Sequence, residues 1–117
     1  MDEQLYRSML FDFYGELLTE KQQDCFRLHY DEDLSLGEIA ENLGITRQAV
    51  WDNIRRAEEL LRHNEDKIGL VARHARLRAQ AEALKEKAGA LREITGGQAG
   101  ELAADLLRGI QELQDGI

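Results

Sequence analysis

The 117-residue chain has no proline and a single cysteine. Without proline there is no rigid helix breaker, so interruptions fall to glycine and to polar loops. One cysteine, Cys25, excludes an internal disulfide. Beside Phe26 in a helical stretch it reads as a small buried apolar side chain. No apolar run approaches the roughly 18 residues that a membrane span needs, and "MDEQLYRSML" opens with acids where a secretory signal carries basic residues. A cytoplasmic protein without membrane insertion is expected. Basic residues are outnumbered 15 to 23, a formal net charge of −8, so the chain forgoes much of the phosphate attraction behind nonspecific DNA binding.

What is abundant is alanine, leucine, glutamate, arginine and glutamine, with β-branched residues thinly scattered, a composition that favours helix over strand. An all-α protein is expected, either one ordinary domain or a small globule with a helical extension. In "EQLYRSMLFDFYGELL", Leu10, Phe13, Leu17 and Leu18 mark the core face of a first helix, with Tyr6, Phe11 and Tyr14 on its flanks. Thr19 and Gln22 have capping-box spacing and start a second helix. Ser35 and Glu38 repeat that spacing, and Leu36, Ile39, Ala40 and Leu43 form the inward face of a short third helix.

Gly44 then ends that helix with a left-handed turn, Ile45 plugs the junction and Thr46 caps a fourth helix. Val50, Ile54 and Ala57 continue the inward face. A small residue at Ala40, a glycine at the turn and apolar plugs on either side form a helix-turn-helix without a wing, the shape that lays its second helix in a DNA groove. The fold does not fix the ligand. Arg47, Gln48, Trp51, Asn53, Arg55 and Arg56 are the candidate contacts to nucleic acid or a partner, while Asp52, Glu58 and Glu59 repel phosphates. Trp51 has three readings: base stacking, an interface anchor, or closure of the helical core.

From Leu70 onward, His74, Leu77, Ala81, Leu84, Ala88 and Leu91 alternate steps of four and three, the seam of a long helix. "TGGQAG" interrupts it, and Leu102, Leu106, Ile110 and Leu113 form a second stripe. The tail reads as a helical hairpin that packs on the first helix or on a second protomer. The expected division is residues 1–66 for the helix-turn-helix domain and 67–117 for the extension.

Charge follows the same division. Residues 1–66 hold seven basic and sixteen acidic side chains, a net of −9, and residues 67–117 hold eight and seven, a net of +1. Arg73, Arg76, Arg78, Lys85, Lys87 and Arg92 give the long helix a candidate basic face for an RNA backbone. Enzyme readings fare poorly. His29, His63 and His74 fall on separate segments, Cys25 with His29 lacks the further ligands of a zinc site, and "ITGGQAGE" lacks the lysine and strand of a phosphate loop. Neither catalysis nor a metal or cofactor is expected.

The stretch "YGELLTEKQQDCFRLHYDEDLSLGEIAENLGITRQAVWDNIRRAEELL" resembles the YlxM family of small bacterial helix-turn-helix proteins and, more distantly, region 4 of sigma factors. "LLTEKQ", "SLGEIAE" and "TRQAVWDNI" carry the resemblance, which covers about the first two thirds of the chain. Trp51 stands where the family more usually has tyrosine. The resemblance implies an accessory or regulatory role in the signal recognition particle pathway, with the particle's GTPase and its small cytoplasmic RNA as partners. A dimeric regulator reading duplex DNA is the alternative.

Overall fold

Thr19 Oγ1 accepts the Gln22 N–H at 3.2 Å while Gln22 Oε1 accepts the Thr19 N–H at 3.0 Å. Ser35 and Glu38 make the same reciprocal pair at 3.1 and 3.2 Å. Each pair satisfies two N–H groups that a helix start leaves without partners. These capping boxes open the second and third of six α-helices in the computed structural model, which describes residues 2–117. The helices are α1 (Glu3–Tyr14), α2 (Glu20–Tyr30), α3 (Leu36–Leu43), α4 (Arg47–Ile68), α5 (Leu70–Ile94) and α6 (Gly97–Gly116). A 3₁₀ turn, Gly15–Leu17, follows α1, and the described residues contain no strand. No helix among them is long and apolar enough to cross a membrane.

Gly44 takes the left-handed conformation at φ 69°, and Thr46 Oγ1 accepts the Ala49 N–H at 3.0 Å to start α4. The α3–turn–α4 unit is thus a helix-turn-helix made by local chemistry. Its core joins Cys25, Ile39, Ala40, Val50 and Ile54, and the latter half of α4 feeds a second cluster with Leu10, Tyr14, Leu18, Phe26, Ala57, Leu61 and Val71. Cys25 is fully buried, as its surroundings in the sequence suggest.

The core face of α1 differs from its reading in the sequence. Leu10, Tyr14 and Leu18 are buried, whereas Phe13 and Leu17 face outward. Helix α1 stops at Tyr14 and the 3₁₀ turn rewinds the chain, so Leu17 falls off the helical register that would have buried it.

The chain divides into two compact units, Met1–Val71 and Ala72–Ile117. The division falls after Val71 and not after residue 66, for a polar reason. Glu65, on the inward side of α4, accepts the Val71 N–H at 3.0 Å, and Tyr14 Oη accepts the Leu70 N–H at 2.9 Å. These bonds tie the start of α5 to the first unit. In the second unit, α5 and α6 run antiparallel, pinned where His74 Nε2 donates to the Ile117 carbonyl at 2.9 Å and Gln114 to Glu82 at 2.9 Å.

Candidate partner-binding site

The exposed side of α4 is set by its buried side. Val50, Ile54, Ala57 and Leu61 recur at steps of four, three and four and point into the core. Gln48, Trp51 and Arg55 therefore turn away from the core, while Arg47, in the first turn and about 20° from Ile54 in rotation, leans over α3; all four are exposed. Trp51 is 45% exposed, so it does not close the helical core; its ring stands on the open face. Of its three readings, the two that present it to a partner fit this position.

The polar groups of this face are largely engaged with one another. Gln48 Nε2 donates to Asp52 Oδ1 at 3.1 Å, and Arg55 bonds Glu59 at 3.0 Å with Asp52 at 4.0 Å. A base or phosphate would have to compete with these partners. Arg47 lies across α3: a Cβ at Gly37 would come within 2.9 Å of its guanidinium nitrogen. The glycine thus makes room for the arginine, a close approach absent from the sequence reading, which placed the small residue at Ala40.

Two predicted contacts lie away from this group. Asn53 is half-buried and its amide donates to the Ala49 carbonyl at 2.8 Å. Arg56 is exposed on the same flank as Asn53, one helical step further on. Glu58 also departs from its expected role as a phosphate-repelling group, because it turns inward. Its Oε1 accepts from Arg7 Nε at 2.8 Å and from Tyr30 Oη at 2.7 Å, with the Arg7 guanidinium 4.1 Å above the Tyr30 ring. Burial first, then the bond to Glu58, pushes the Tyr30 phenol up to about 12. That cluster and the buried bond that Tyr14 Oη donates to Glu65 Oε1 were hidden by sequence separation; the only sequence signal was a pair of glutamates seven apart along the inward edge of α4.

The six basic residues of α5 do not form one face. Arg78, Lys85 and Arg92 recur every seven residues along one flank of the seam, and Arg73, Arg76 and Lys87 lie on the other. All but the half-buried Lys85 are exposed. Along the seam, Ala81 and Ala88 are buried, while Leu77, Leu84 and Leu91 are 39, 53 and 43% exposed. On α6 the stripe is also turned from its expected place. Ala103 is buried with Leu107 and Gln114 beside it, and Leu102, Leu106 and Leu113 stand out at 59, 54 and 63%. This rotation presents the alanine edge of a broad apolar surface to α5, and the Gln114–Glu82 bond lies on the same side.

The comparisons agree with this architecture. The model of the UPF0122 family, described as "Putative helix-turn-helix protein, YlxM / p13 like", matches residues 1–96. A UPF0122 protein of Caldanaerobacter subterraneus subsp. tengcongensis is 47% identical over 85 residues, covering 73% of each chain. One from Thermoanaerobacter sp. (strain X514) is 45% identical over 92 residues, 79% of each. One from Desulforamulus reducens is 56% identical over 66 residues, 56% of each.

Proposed function

The chain belongs to the UPF0122 family of YlxM-like helix-turn-helix proteins, and on that premise we propose that it is a noncatalytic accessory protein of the signal recognition particle pathway. It binds the particle GTPase and its small cytoplasmic RNA. The observation that carries this reading is the α4 face: an exposed Trp51 ringed by polar groups that already satisfy one another. Such a face suits a protein partner, where an aromatic anchor supplies affinity and the self-paired charges around it form a polar rim that stays in water. The net −9 of residues 1–66 favours a basic protein surface over a phosphate backbone. RNA falls to α5, where the row Arg78, Lys85 and Arg92 follows one flank.

Two variants separate the faces. Trp51→Ala weakens GTPase binding by about tenfold or more and leaves RNA affinity alone. Joint Arg78→Glu, Lys85→Glu and Arg92→Glu lowers RNA affinity and flattens its salt dependence. Unchanged GTPase binding by the first variant, or an unchanged RNA salt slope with the second, contradicts the corresponding assignment.

One observation favours a second reading, a regulator that reads duplex DNA. The start of α4 exposes Arg47 and Gln48 on the side a recognition helix turns to base edges. It requires two units on paired half-sites about one helical turn apart.

A further inference from the structure

The hairpin of α5 and α6 buries alanines and exposes leucines, the reverse of what a self-sufficient unit does. On each helix the exposed row trails the inward row in rotation, by roughly 40° from Leu77 to Ala81 and roughly 100° from Leu102 to Ala103, at 100° per residue. Antiparallel helices with offsets of the same sign carry both rows on the same side of the pair. Leu77, Leu84 and Leu91 therefore continue into Leu102, Leu106 and Leu113 as one apolar face. With Ile94 it amounts to about 700 Å² of leucine and isoleucine surface, near the roughly 800 Å² that one partner contributes to a standard interface.

We propose that this face is covered by the same face of a second copy of the chain, in a four-helix bundle whose two-fold axis runs along the helices. Two observations beyond area select this occupant and this arrangement. The first is shape. Leu106, Gly109, Ile110 and Leu113 stand at i, i+3, i+4 and i+7 around a groove, the four-residue hole that accepts one knob in helix packing. A Cβ at Gly109 would meet nothing within 4 Å, so the floor of this hole is open. The bonds His74–Ile117 and Glu82–Gln114 bring Leu84 level with residues 107–112, the stretch that holds Gly109 and Ile110. An axis along the bundle keeps that level, so Leu84 of each copy enters the hole of the other.

The second is charge. The outer flank of the α5 row carries Arg76 and Lys87, and that of the α6 row carries Glu112 and an Asp105 that already pairs with Arg108 of its own helix, which leaves one net negative charge there. With the axis along the helices, α5 lies over α6 of the second copy and the basic flank meets the acidic one, twice by symmetry. The other face-to-face two-fold, across the helices, sets α5 on α5 and opposes like charges.

The test is sedimentation of the full chain over a dilution series, with helicity followed in parallel. The wild type is expected to dimerise at micromolar concentration. Leu84→Glu puts a carboxylate into the hole and Gly109→Lys fills the hole with an ammonium stem; each raises the dimer dissociation constant by about tenfold or more. Gly109→Lys also replaces a poor helix former with a good one, so helicity holds or rises and unfolding cannot account for the loss. The double variant is the decisive arm, because each introduced carboxylate then meets an introduced ammonium of the second copy and the dimer recovers. A monomeric wild type, or single variants that dimerise like it, overturns the proposal. Single variants that weaken the dimer without recovery in the double overturn the arrangement of α5 over α6.

Discussion

Tyr14 and Glu65 are 51 residues apart in sequence and 2.6 Å apart in space, the phenol hydroxyl donating to a carboxylate oxygen in a buried site. The same carboxylate oxygen accepts the Val71 N–H, and the phenol oxygen accepts the Leu70 N–H. Three elements meet there: the end of α1, the last turns of α4 and the first residues of α5. The pair supplies acceptors for two N–H groups at the start of α5, which otherwise have no intrahelical partner.

Tyr14→Phe is expected to destabilise the protein by about 1–3 kcal/mol, because it strands the Leu70 N–H and removes a donor from Glu65. Urea unfolding monitored by circular dichroism checks this. A variant as stable as the wild type would show that water replaces the phenol at no cost.

Alkaline conditions act on the same cores. Burial, then hydrogen bonding to Glu65, raises the Tyr14 phenol above its ordinary value, and Tyr30 is raised to about 12. A group whose pKa is raised on folding holds its proton more tightly in the native state. Its contribution is complete below about pH 10, the unfolded value, and is lost as pH climbs through the folded value. The unfolding midpoint should fall between about pH 10 and 12, and less steeply in Tyr30→Phe. Equal slopes for the two proteins would contradict the role given to Tyr30.

Cys25 offers a direct probe of the core. It is fully buried, and burial raises its thiol pKa. A thiol reagent should therefore label it slowly in native buffer and rapidly once the protein unfolds. Fast native labelling would mean that the packing of α2 against α3 and α4 opens far more readily than described.

Much of the first unit was legible in the sequence because its signals are local. The capping boxes at Thr19–Gln22 and Ser35–Glu38, the left-handed turn at Gly44 and the cap at Thr46 each involve residues at most three apart. What escaped notice depends on contacts between distant segments. Nothing near Tyr14 announces Glu65, and nothing near Glu58 announces Arg7 and Tyr30. Periodicity found the apolar arc of α6 but not its rotation, since a broad arc packs equally well by either edge until a neighbour selects one. The candidate site shows the same limit. Spacing set Arg47, Gln48 and Arg55 off the inward face and left Trp51 open between core and partner, but it did not show that Trp51 is exposed or that Gln48 and Arg55 are held by Asp52 and Glu59.

If Trp51 is an interface anchor and not a structural residue, Trp51→Ala should leave stability within about 0.5 kcal/mol of the wild type. Gly37→Ala is the companion variant. Its new methyl group displaces the flexible end of Arg47 while improving helix propensity, so stability is kept and partner binding weakens. Thermal unfolding together with a GTPase binding assay reads both. A large loss of stability in either variant would return the residue to the fold.

The measurement that tests the account most directly is a binding titration of the full chain against the small cytoplasmic RNA and against duplex DNA of matched length. It is run at low and moderate salt, with the particle GTPase absent and then present. The account predicts RNA binding that steepens when the GTPase is added, and duplex binding that is weak and vanishes with salt. Sequence-dependent duplex binding that survives moderate salt, with no response to the GTPase, would contradict it and return the α4 face to the reading of DNA.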